Sequence, residues 1–108
     1  MTQTFPCPYL NADVELGDDR IEHIQDRHPG TWPNFESEIA QTLARPDLVR
    51  RSDYDPQTRL FSKWFKTIRT GRYLVVVTVS ETHPPRHWVI TAYTARKITG
   101  GTVEWTQP

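Results

Sequence analysis

The segment RIEHIQDRH, Arg20 to His28, places two histidines and two arginines within nine residues. Imidazole and guanidinium together supply what cleavage of a phosphodiester requires when no metal takes part. One imidazole removes the proton of an attacking ribose 2′-hydroxyl, a second returns a proton to the departing 5′-oxygen, and nearby cations stabilise the charged phosphorane. Spacing decides whether such a pair can cooperate. Five residues of ideal helix turn through about 500°, which leaves His23 and His28 about 140° apart. Pro29 relieves this, because a proline disfavours helical geometry at the residue before it. The helix is therefore expected to end at or near His28, whose side chain is then able to turn towards His23. Arg20 and Arg27 stand three residues before and four after His23, on one flank of the helix, as substrate-binding cations. Their charges also favour the neutral form of a neighbouring imidazole, which leaves one available as base. A structural reading competes with this one: His28 continues the stripe of Ile21 and Ile24, where a histidine serves as a core residue with a satisfied hydrogen bond.

A second group lies in HWVITAYT, His87 to Thr94. Strict alternation places His87, Val89, Thr91 and Tyr93 on one strand face and Trp88, Ile90 and Ala92 on the other. The Thr91 hydroxyl and the Tyr93 phenol can both hydrogen-bond a phosphate, and the phenol can also stack or donate a proton. Strand propensity alone favours the same two residue types. On the segment Thr58 to Ile68, Arg59, Phe61, Lys63 and Phe65 share a face, which interleaves cations with aromatics as a nucleic-acid chain requires, or as a core requires of each Phe. Metal binding has little to support it. His83 and His87 are separated by Pro84-Pro85, which excludes a helical His-x-x-x-His pair, and no carboxylate stands at ligand spacing, so neither metal nor cofactor is expected. Cys7 is the single cysteine and lies between two prolines, which excludes an intramolecular disulfide and offers no activated nucleophile.

A small scaffold must position these residues. The 108 residues suffice for one domain, 1–108, and a content of 36% hydrophobic and 24% charged residues suits a folded chain. Gly17, Asp18 and Asp19 cap the first helix and put negative charge at its positive end. Thr31 is expected to cap a second helix, with Trp32 and Pro33 in its first turn, Phe35, Ile39 and Leu43 as its buried face, and Arg45-Pro46-Asp47 as its stop. Beyond Pro46 the pattern alternates. Leu48 to Tyr54 and Thr58 to Ile68 read as a hairpin, and YLVVVTVS, Tyr73 to Ser80, is apolar on both faces as a central strand is. The loop Thr82 to Arg86 leads to HWVITAYT, and a short edge strand ends at Trp105. The expected architecture is α+β, two N-terminal helices packed on one face of a four- to five-stranded antiparallel sheet. No run approaches the ~20 apolar residues that span a bilayer, and the amino terminus lacks a secretory pattern, so a cytoplasmic protein without membrane contact is expected.

The formal net charge of zero conceals an asymmetry. Eight acids and two bases precede residue 41, whereas eleven bases and five acids follow residue 40. Arg59, Lys63, Lys66, Arg69 and Arg72 form a run with no acid between them. A surface made from that half attracts phosphates, although an edge strand can carry such a run for solubility alone.

With these residues placed, the chain resembles the phage-associated nuclease domains grouped as barnase/EndoU/colicin/RelE-like, the BECR fold. The resemblance is carried by RIEHIQDRHP, a following helix closed by ArgProAspLeuVal, LFSKWF, the strand YLVVVTV and VITAYTARKITGG, in that order, and it spans roughly residues 14 to 105. It implies a small metal-independent endoribonuclease or toxin-type effector. His23 and His28 would then be the acid and base, Lys63 the phosphate-neutralising cation, and Thr91 and Tyr93 the sheet residues facing the scissile phosphate. RNA is the implied partner, with a protein inhibitor of antitoxin or immunity type as a second. Two other classes remain open: a non-catalytic module of the same fold that binds RNA or protein, and a structural component of a phage or mobile element.

Overall fold

Phe5 and Cys7, then Val14 and Leu16, alternate with less buried residues near the amino terminus, and each pair faces inward. In the computed structural model, which describes residues 2–108, they form an antiparallel hairpin of β1 (Gln3–Cys7) and β2 (Ala12–Leu16) around the 3-10 turn Pro8–Leu10. Pro6 lies within β1, which is tolerable because β1 is an edge strand whose outer ladder has no partner. Two strands therefore precede the helices, contrary to the expected order. Pro6 is a strand-edge proline, Pro8 opens the 3-10 turn, and Asn11 closes it in the left-handed region, φ 54°.

Helix α1 (Asp18–Arg27) ends where Pro29 requires, with His28 as its C-cap. Helix α2 (Glu36–Ala44) starts later than the sequence suggests: Thr31 to Phe35 form turns, with the Phe35 amide bonded to the Thr31 carbonyl at 2.9 Å, and only then does the α-helix begin. The remaining strands are β3 (Leu48–Arg51), β4 (Thr58–Phe65), β5 (Arg72–Thr82), β6 (Pro85–Ala95) and β7 (Thr102–Thr106). They join the hairpin in one seven-stranded sheet of order β1-β2-β6-β5-β4-β3-β7, not four or five strands. Nor is it wholly antiparallel, because β2 runs parallel to β6 through the Glu15–Trp88 pair. YLVVVTV lies at the centre of the sheet. Ile39 and Leu43 of α2 and Ile24 of α1 pack on Phe61, Leu74, Val76, Val89 and Ala92 to form the core on one sheet face.

Cross-strand pairing defines which side chains share a face. The rows Phe61–Val76–Ala92 and Lys63–Leu74–Thr94 point to the helices, whereas Leu60–Val77–Thr91, Ser62–Val75–Tyr93 and Trp64–Tyr73–Ala95 point to the opposite, helix-free face. Simple alternation fails at two bulges, at Glu104 of β7, where Val49 pairs with Trp105 and Arg50 with Val103, and on β6. Val77 pairs with Thr91 and Thr78 with Val89, so Ile90 is an extra residue and the strand bulges there. The bulge returns Val89 to the core beside Ala92, while Thr91 and Tyr93 stay on the helix-free face.

Residues 96–101 link β6, third in the sheet, to β7 at its far edge. Four strand spacings amount to about 19 Å, and seven peptide steps reach about 24 Å at most, so this link crosses the helix-free face almost taut. Arg50 holds it. Its guanidinium, 2% exposed, donates from Nη1 to the carbonyls of Thr99 and Gly100, the latter at 2.7 Å. Gly101 (φ 72°) lets the link turn into β7, and a Cβ there would sit 2.9 Å from the Arg51 carbonyl oxygen. Gly101→Ala is expected to cost about 1–2 kcal/mol through positive φ and this clash, measured as a fall in the urea midpoint without a change of slope.

Candidate active site

Because α1 lies against β6, its carboxyl-terminal end meets the helix-free face at Thr91 and Tyr93. There His23, Arg27, His28, Thr91 and Tyr93 line a shallow cleft of about 360 Å³. His28 has left the helical region (φ −134°, ψ 68°), although its amide still bonds the Ile24 carbonyl at 2.8 Å. This departure overcomes the 140° divergence of an ideal helix. The His28 imidazole lies over Tyr93, ring centroids 5.5 Å apart and planes inclined by 34°.

Burial lowers the His28 pKa below the ordinary value of 6.5, and the neighbouring charges of His23 and then Arg27 lower it further. The imidazole is therefore neutral at neutral pH and able to accept a proton. Arg27 is well exposed, and its ion pair with Asp26 is long at 3.9 Å; a pair of that kind holds the guanidinium weakly. Thr91 Oγ1 is occluded and has no hydrogen-bond partner among the described residues. A hydroxyl left in that state costs stability; Arg50 Nε and Thr78 Oγ1, outside the cleft, share it.

Three of the sequence candidates do not join this cleft. Arg20 donates from Nε to the Ile90 carbonyl at 3.0 Å, so it anchors α1 to the β6 bulge. Arg59 lies on the helix-side face and pairs with Glu104 at 3.0 Å, together with Arg51 at 2.9 Å. Tyr9 also donates to Glu104, and burial with that bond pushes the phenol up to about 12. Lys63 shares the helix-side face, donating to the Arg45 carbonyl at 2.9 Å with Asp47 at 3.6 Å. Alternation from Phe61 does place Arg59 and Lys63 together, but the whole row belongs to the face opposite Thr91 and Tyr93. Leu60, Ser62 and Trp64 of LFSKWF point to the helix-free face, and of these Trp64 is the exposed one, 45%; the alternation from buried Phe61 could have revealed it.

Elsewhere, a larger apolar groove of about 530 Å³ lies between Tyr9, Pro46 and Trp105, with no acid–base pair in it. His87 is engaged within the sheet, its Nδ1 2.7 Å from Ser80 Oγ. Among the described residues no three His, Cys, Asp or Glu side chains gather as metal ligands, and no helix is long and apolar enough to cross a membrane. Comparison with protein-family models, curated protein sequences and solved structures returns no match to this chain.

Proposed function

We propose that this chain is an endoribonuclease that cleaves RNA by attack of a ribose 2′-hydroxyl, with His28 as general base and His23 as general acid. The observation that carries the reading is the single cleft in which a depressed-pKa imidazole, a second imidazole, a guanidinium and two strand hydroxyls converge. His28 takes the 2′-hydroxyl proton as that oxygen bonds to phosphorus. Protonated His23 gives its proton to the 5′-oxygen as the P–O5′ bond breaks, leaving a 2′,3′-cyclic phosphate and a free 5′-hydroxyl. Arg27 and the Tyr93 phenol hold the phosphate oxygens as charge builds on them, and Thr91 joins them by rotating its occluded hydroxyl into the cleft. The acid and base of the reaction both belong to the protein, so the proposal includes independence from metal. It extends to action in the cytoplasm, and to a protein inhibitor that covers the cleft, on the strength of the nuclease resemblance.

Incubation of the protein with mixed-sequence RNA in EDTA tests this. Fragments ending in 2′,3′-cyclic phosphate, absent with folded His23→Ala, are the expected result; intact RNA across several substrates would leave a binding module with structural histidines. Thr91→Val separates the roles further. It removes an unsatisfied hydroxyl at equal volume, so thermal stability should be unchanged or slightly higher, whereas kcat/KM should fall about tenfold or more. Equal activity in the two proteins would assign Thr91 to the strand alone.

A further inference from the structure

Trp64 is 45% exposed, yet it is held firmly. Its indole forms an edge contact with Tyr73, centroids 5.0 Å apart and planes inclined by 73°. It also lies so close over Gly71 that a Cβ there would sit 2.6 Å from the ring. Glycine at that position (φ 129°) is what permits the approach. The Trp64 amide donates to Asp47 Oδ2 at 2.8 Å, and Lys63 neutralises that carboxylate. A large aromatic face is thus fixed in place and left in water.

Exposed cations lie near it along the chain and across the sheet. Lys66 and Arg69 are exposed on the turn between β4 and β5, and Arg72 braces that turn through the Arg69 and Gly71 carbonyls at 3.2 and 2.7 Å. Tyr73 pairs with Ala95, and exposed Arg96 and Lys97 follow Ala95 directly. Tyr93 of the cleft lies on the same sheet face, two residues along and two strand spacings from Trp64, about 12 Å away.

We propose that Trp64, set on Gly71 and Tyr73 with Lys66 and Arg69 on the adjoining turn, is a stacking subsite for a base of single-stranded RNA whose backbone continues from the His23/His28 cleft past Arg96 and Lys97. This rests on the proposed RNA substrate, but not on cleavage. A preset indole loses little freedom when a base stacks on it, and the cations match a polyanion. Stacking on an indole tolerates any base, so the subsite gives grip and length dependence without sequence selection.

The test uses a fluorescein-labelled RNA hexamer with 2′-O-methyl at every position, which has no nucleophile, and reads binding by anisotropy. Trp64→Leu keeps an apolar cover over Gly71 and Tyr73 but removes the π-face; it should weaken binding roughly tenfold, whereas Trp64→Tyr should stay within about threefold of the native protein. The pair Lys66→Gln and Arg69→Gln should lower the salt dependence by about 0.7 in log–log slope for each phosphate that is no longer neutralised. Equal binding by Trp64→Leu, or no binding of the hexamer by the native chain, overturns the subsite. Cleavage of a dinucleotide, too short to reach Trp64, reports on the cleft alone and should be untouched by Trp64→Leu. Dinucleotide cleavage with Trp64-independent hexamer binding refutes the subsite and leaves the nuclease reading intact. Trp64-dependent binding without any cleavage does the reverse.

Discussion

His28→Ala should reduce cleavage by about 10²–10⁴-fold while the protein remains folded, because a positioned general base contributes that much. His28 is the C-cap and its ring is only half-buried over Tyr93, so its loss removes the base without opening the core around Ile24. The variant's near-ultraviolet circular dichroism should match that of the native protein; a collapsed spectrum, or full activity, would return His28 to a structural role. The pH dependence follows from the depressed pKa. Cleavage needs His28 neutral, so kcat/KM should hold as pH falls through about 6.5 and decline only below it. Stability carries the same signature with a definite sign. Burial and the charges of His23 and Arg27 make the folded His28 a weaker proton acceptor than the unfolded one. As pH falls below about 6.5 the unfolded chain takes up the proton first, so stability declines until the pH passes the folded pKa. Urea unfolding at pH 7.5 and pH 5 should show this decline in the native protein and a smaller one in His28→Gln.

Arg50→Ala should destabilise the chain by about 2–4 kcal/mol, from poorer packing and from carbonyls left unpaired. In a domain of this size that is a fall in Tm of roughly 10–20 °C. Arg50 is among the largest fully buried side chains, at 2% exposure, and its donors close the link between β6 and β7 onto the sheet. Arg50→Met preserves the stem and removes the buried charge, so it should recover part of the loss and leave the cost of the Thr99 and Gly100 carbonyls, about 1–2 kcal/mol. Amide exchange in residues 96–101 should accelerate more than in β5 for both variants. A melting curve for Arg50→Ala that overlays the native one would mean that the crossing link is held by something other than this guanidinium.

Local chemistry determined a good deal in advance. Pro29 stops α1 at His28 because a proline constrains its predecessor whatever the surroundings. YLVVVTV is central because a strand apolar on both faces has to be covered on both. Ile39 and Leu43 face the core because helical period selects them. These signals lie within a few residues of their consequence. The cleft was legible in its membership: RIEHIQDRH and ITAYT supplied the candidates, and of these His23, Arg27, His28, Thr91 and Tyr93 line one cleft.

What lay beyond the sequence depends on partners far along the chain. The hairpin of β1 and β2 is short and proline-bearing, and it reads as a strand pair only once β6 is present beside it. The bulge at Ile90 is set by pairing with β5 and by the Arg20 bond, and it reverses the alternation that had grouped Val89 with Thr91. Alternation alone relates Arg59 and Lys63 to each other, but only the register through β5 reveals that they face α2 while Thr91 and Tyr93 face away. The sequence by itself determined which residues are chemically capable and which local turns they sit on. The tertiary structure alone decided which of them share a surface, because strand register and sheet order are collective properties that no short window of residues contains.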